Sequence, residues 1–146
     1  MKKILTDIMR FTDQLEQILK QEFETLEQQD FGQLMALTSQ KQKLVEQLDA
    51  LEKQRQQLSA GHESFKDYLQ QQAEAKDLRK QWNIIRQKLQ QCREQNEING
   101  RLLQKKQQLS GEMLDLLSGK QNNAPATYEA DGTQQKSGSI LGDTQA

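Results

Sequence analysis

From Leu78 onward the residues Leu78, Trp82, Ile85, Leu89 and Cys92 recur at steps of four and three, and the same register runs on through Asn96, Asn99, Leu103, Lys106, Ser110, Met113 and Leu117. A repeat of 3.5 residues keeps one stripe of an α-helix turned toward a partner helix, so the first half of this stretch reads as coiled-coil core. The second half does not repeat that pattern cleanly. Its apolar residues divide between Leu103, Met113 and Leu117 on the old stripe and Ile98, Leu102, Leu109 and Leu116 beside it. The result is a broader, partly polar surface, which we read as a face that receives another protein. A continuous helix of roughly 40 residues would extend about 60 Å, longer than a compact core requires. Gly100 interrupts it at a cost of about 1 kcal/mol relative to Ala. That glycine is either a tolerated defect or a point of flexure or close approach beside a bound helix.

Two further helices precede this one. Ile4, Ile8, Phe11, Leu15, Ile18, Leu19, Phe23 and Leu26 recur at helical spacing and predict a first helix over about residues 3–29 with those side chains inward. Around Asp30 the pattern breaks. Asp30 can cap a second helix, Gln33 follows three residues later as in a capping box, and Gly32 weakens continuity, so the break is either a tight turn or a kink. The second helix runs to about Leu58 with Phe31, Leu34, Leu37, Leu44, Val45, Leu48, Leu51 and Leu58 inward. Lys41 and Arg55 interrupt that stripe, and the expectation is that their stems cover apolar surface while their charges reach water. Ser59, Ala60, Gly61 and His62 form a helix stop, after which Phe65, Tyr68 and Leu69 either begin the third helix or make a short separate turn on its base.

The fold class expected is therefore all-α: an elongated antiparallel bundle or coiled coil of about three long helices, with a flexible C-terminal tail. Residues 1–118 form the helical domain and residues 119–146 the tail, where Gly119, Asn122, Asn123, Pro125, Gly132, Gly138 and Gly142 crowd together. The apolar fraction of 34%, even with the eight glycines added, stays below the roughly 45–50% of globular domains, so a thick core is not expected.

Charge narrows the partners. Lys and Arg number 20 against 21 Asp and Glu, so no positive excess advertises nucleic acid or anionic lipid. No stretch approaches the roughly 20 apolar residues of a membrane span, so stable insertion is not expected. In MKKILTDIMRF, Asp7 and Arg10 interrupt the apolar run too early for an export signal, and the segment reads as ordinary helix. The single cysteine, Cys92, lies on the apolar seam, a usage that fits a reducing cytoplasm.

Nothing here assembles a catalytic or metal site. The lone His62 lies in a turn, Cys92 has no basic neighbour on its face, and no glycine-rich phosphate loop follows a strand pattern. The chain is expected to bind rather than catalyse, without a cofactor. Trp82 reads as core, and Asn96 and Asn99 as seam residues that fix helix alignment through buried hydrogen bonds.

Three stretches carry a resemblance. They are LVEQLDALEKQRQQL from Leu44, RKQWNIIRQKLQQCREQNEINGRLL from Arg79, and TYEADGT from Thr127. The ordered combination of Trp82, the Asn96–Asn99–Gly100 cluster with Leu102 and Leu103, and a tail tyrosine is the most diagnostic part. The chain resembles the FlgN family, cytoplasmic export chaperones of the bacterial flagellar type III secretion system. The resemblance implies binding to the C-terminal regions of the hook–filament junction proteins FlgK and FlgL, protection from premature assembly, and delivery to the export gate. It implies cargo binding by the C-terminal part of the chain and docking of the tail tyrosine, here Tyr128, to the cytoplasmic domain of the gate protein FlhA.

A helix-in-groove contact lined by Ile98, Leu102, Leu103, Leu109, Met113, Leu114, Leu116 and Leu117 could cover an amphipathic cargo segment. Each well-buried apolar anchor contributes about 1.5–3 kcal/mol before ordering costs, which keeps net affinity moderate and suits release. The competing expectation is that these residues complete the chain's own coiled coil or a homo-oligomer seam, making the protein a structural, self-associating adaptor.

Overall fold

The structure, a computed structural model, describes residues 1–117. It contains α1 (Lys2–Gln28), α2 (Phe31–Leu58), α3 (Phe65–Gln70) and α4 (Ala75–Leu117), and no strand among the described residues. The all-α expectation holds, and Phe65, Tyr68 and Leu69 belong to the short separate helix α3.

The break after α1 is a tight turn. Gln29 adopts a left-handed conformation (φ 58°), its N–H donates to the Leu26 carbonyl, and the Asp30 N–H donates to the Thr25 carbonyl. This pairing satisfies two end carbonyls that the helix cannot pair internally. Asp30 then caps α2, its Oδ1 accepting from the Gln33 N–H at 3.1 Å. At the far end of α2, Gly61 takes up a positive φ of 89°, where a side chain would be strained. Ser64 caps α3, and Asp67 returns the contact by accepting from the Ser64 hydroxyl at 2.7 Å.

Helix α1 is central, packed along both α2 and α4. Consecutive long helices run antiparallel, so α1 and α4 are parallel. Gln81 donates to Thr6 and Lys88 to Asp13, each across 75 residues of sequence, which sets a constant offset between the two helices.

Each long helix offers a seam with steps of three and four. Leu5, Ile8, Thr12, Leu15, Leu19, Glu22 and Leu26 line it on α1; Leu34, Leu37, Lys41, Leu44, Leu48, Leu51 and Arg55 on α2; Leu78, Trp82, Ile85, Leu89, Cys92, Asn96 and Asn99 on α4. The α1 stripe therefore lies one residue away from the expected one over its first turns. Leu5 and Thr12 are buried, whereas Ile4, Phe11 and Phe23 are half-buried. The 3.5-residue repeat outranks hydrophobicity here, and Thr12 is accommodated because its hydroxyl donates to the Ile8 carbonyl at 2.8 Å. Phe31 and Leu58, expected inward, are 45% and 52% exposed. Both occupy terminal residues of α2, where the flanking turns leave room for solvent.

Candidate interaction surface

The seam changes character along its length. Below the level of Cys92 it is apolar, and Ile85 and Cys92 are almost fully buried. Burial pushes the Cys92 thiol up to about 11, so it stays protonated and behaves as a small hydrophobe. At the base, Arg55 stacks over the rings of Phe65 (4.1 Å) and Trp82 (4.8 Å) while its Nε donates to Glu52 at 2.6 Å. Phe65 meets Trp82 edge to face at 4.9 Å. The expectation that Arg55 sends its charge to water is corrected. The planar guanidinium is neutralised within the fold by a carboxylate and two aromatic faces.

Lys41 departs from expectation in the same way. Its ammonium lies 3.1 and 2.9 Å from the two carboxylate oxygens of Glu22 and donates to Asn96 Oδ1 at 3.0 Å. Glu22 Oε2 accepts no well-directed hydrogen bond, and the ammonium beside it supplies the compensating charge. Asn99, 1% exposed, donates through Nδ2 to the Leu19 carbonyl (2.9 Å) and to Glu22 Oε1 (3.1 Å), while its Oδ1 accepts from Gln95 (2.9 Å). Glu22 from α1, Lys41 from α2 and Gln95, Asn96 and Asn99 from α4 thus form a polar layer across the bundle. A one-residue slip would leave a buried carboxylate or amide unpaired, so the layer fixes the relative height of the three helices. Asn96 and Asn99 have the aligning role expected of them; Glu22 was missed, although a charge at a seam position was its signal.

Above this layer α4 loses its neighbours. At the 75-residue offset, Gln28 at the end of α1 stands level with about residue 103, and α4 extends roughly 20 Å farther to Leu117. Ile98 is 46% exposed and Leu109 52% exposed, while Leu102 and Leu103 are half-buried. Met113, Leu114, Leu116 and Leu117 belong to the last turns of α4, and their side chains lie outside the described part of the structure. Tyr128 and the expected tail, 119–146, lie outside the described residues. What the structure presents at Ile98–Leu109 is one helix face that begins beside the top of the bundle and continues onto the projecting part of α4. A Cβ at Gly100 would meet no atom within 4 Å among the described residues.

Among the described residues no helix is long and apolar enough to cross a membrane. The family model described as FlgN protein matches residues 1–136. The chain belongs to the FlgN family. Membership gives the general class, a flagellar export chaperone, and the match extends over the bundle, the α4 extension and Tyr128. Comparison of this FlgN-family chain with curated proteins and with solved structures gave no match.

Proposed function

We propose that this FlgN-family protein is a cytoplasmic chaperone that binds the C-terminal regions of FlgK and FlgL, keeps them from assembling early, and delivers them to the flagellar type III export gate. It acts by binding alone, without covalent chemistry. The observation that carries the reading is the extension of α4 past the end of α1 with Leu109 exposed on it, continuing a face on which Ile98 is already exposed beside the bundle. An amphipathic cargo segment laid along this face buries its own apolar stripe together with Leu102 and Leu109. Met113, Leu114, Leu116 and Leu117 continue the contact in this proposal, and Met113 lends it the adaptability to fit two related cargoes. Tyr128 docks the loaded chaperone to the cytoplasmic domain of FlhA.

The test is Leu102→Glu/Leu109→Glu assayed by co-elution with FlgK and FlgL C-terminal fragments. Loss of the mixed complex with an unchanged unfolding midpoint is expected. Retention of the complex rejects the surface, and parallel loss of complex and fold assigns these leucines to the protein's own core. Tyr128→Ala should preserve the mixed complex and reduce secretion of both junction proteins; equal secretion removes its docking role.

A second reading, a self-associating adaptor, is favoured by Leu103, which continues α4's own seam register past the polar layer. Size measurement separates the two. A chaperone forms a discrete mixed complex when fragments are added, whereas an adaptor stays a homo-oligomer.

A further inference from the structure

We propose that the α4 strip from Ile98 to Leu109 selects an amphipathic helix whose apolar stripe is bordered by carboxylates. The inference rests on the reading of this strip as the cargo surface and adds the charge that the cargo must carry.

Between Ile98 and Gly111 the ionisable side chains are Arg101, Lys105 and Lys106, all basic, in a chain whose formal net charge is −1. Within the bundle, the lysines that face another helix or the α3–α4 turn are paired: Lys41 with Glu22, Lys88 with Asp13 and Glu16, and Lys2 with Glu74, whereas others such as Lys43 and Lys53 on the outer faces have no ion pair among the described residues. Lys105 and Lys106 make no ion pair among the described residues. Among the described residues Arg101 pairs with Glu97 alone, at 3.7 Å with both side chains largely exposed, a contact that an incoming carboxylate can replace at little cost.

Position matters as much as sign. Lys105 follows Leu102 by three residues and precedes Leu109 by four, which places it on the same helical stripe as the two leucines. Lys106 stands beside it in the register of Leu103. Under a helix docked on Leu102 and Leu109 the stem of Lys105 packs between the leucines and carries its ammonium to the edge of the contact, where it and Lys106 meet the residues that flank the docked stripe. Carboxylates there are attracted, and lysines are repelled. A second copy of the same strip presents the same sign, so the charge favours a foreign helix over self-pairing of residues 98–111.

The experiment uses the full chain and three synthetic helical peptides, measured by titration calorimetry at about 0.1 M and about 1 M salt, where the screening length falls from about 10 Å to about 3 Å. The first peptide has leucines at i, i+3, i+4 and i+7 with glutamate flanks, the second has the same stripe with lysine flanks, and the third has glutamate flanks with the stripe replaced by glutamine. The glutamate-flanked leucine peptide should bind about fivefold more tightly than the lysine-flanked one at low salt. That preference should fade at high salt and invert in Lys105→Glu/Lys106→Glu, whose helicity by circular dichroism stays that of the parent. Equal affinities, a preference for lysine flanks, or an unchanged preference in the reversed variant overturns the inference while leaving the apolar surface intact. Equal binding of the glutamine-stripe peptide also overturns it, because the strip is then only a sink for polyanions. If neither leucine peptide binds the parent chain, or if Leu102→Glu/Leu109→Glu binds as the parent does, the cargo-surface reading itself fails.

Discussion

Leu89 and Leu103 occupy the same seam of the same helix two heptads apart, yet Leu89 is buried against α1 and Leu103 is only half-buried near the level where α1 ends. A residue's place in a repeat fixes which way it faces, and the length of the neighbouring helix decides whether anything is there to meet it. The bundle and the α4 extension therefore share one pattern and differ in partner. In the bundle, apolar side chains stabilise the fold. On the described part of the extension, Leu109 is left exposed.

The contrast is broken most readily by truncating one residue in each region. Ile85→Ala opens a cavity in a close-packed seam and should lower unfolding free energy by about 2–5 kcal/mol in urea titration. Leu109→Ala, on the exposed strip, should change it by less than about 0.5 kcal/mol. A comparable loss from both would show that the extension is packed in solution.

A somewhat smaller effect is expected from the polar layer. Lys41→Met leaves Glu22 buried beside no cation and should cost about 2–3 kcal/mol, below the full value for a deeply buried pair because the lysine side chain is 22% exposed. Combining it with Glu22→Leu should recover most of that loss in the same denaturant titration. If the double variant is no better than the single, the layer contributes through packing rather than through paired charge.

The smallest change sharpens the comparison. Gly100→Ala should raise unfolding free energy by up to about 1 kcal/mol, since the helix gains a better former and the new methyl meets no atom within 4 Å among the described residues. Assayed with a FlgK or FlgL fragment, the same variant separates the two meanings of the glycine. Unchanged affinity makes it a tolerated defect, and weakened affinity makes it the place where a bound helix comes close.

Much of the fold was legible because heptads and caps are local. Asp30 with Gln33, the stop around Gly61, and the run from Leu78 to Cys92 each carry their structural meaning within a few residues. The seam of α1 was harder to read, because Thr12 belongs to it only through a bond to its own backbone, while the more apolar Phe11 lies on the flank. Lys41 and Arg55 were misread for a different reason. A lone cation in a stripe looks like a side chain bound for solvent until Glu22 on one helix and Trp82 on another are brought beside it, and those partners are distant in sequence. The leucines of the strip could be found from α4 alone. That Leu109 stands clear of the bundle while Leu102 and Leu103 are half-buried at its edge follows from the lengths of α1 and α4 and their offset, which no single segment encodes.

The chain's one indole, Trp82, is wedged between Phe65 and Arg55 at the base, about 40 Å along the α4 axis from Leu109. Its fluorescence is thus a built-in optical gauge of the basal pole. Emission should shift when the helices come apart and stay constant while a ligand titrates onto the opposite pole, so occupancy and melting can be followed as separate signals without attaching a dye.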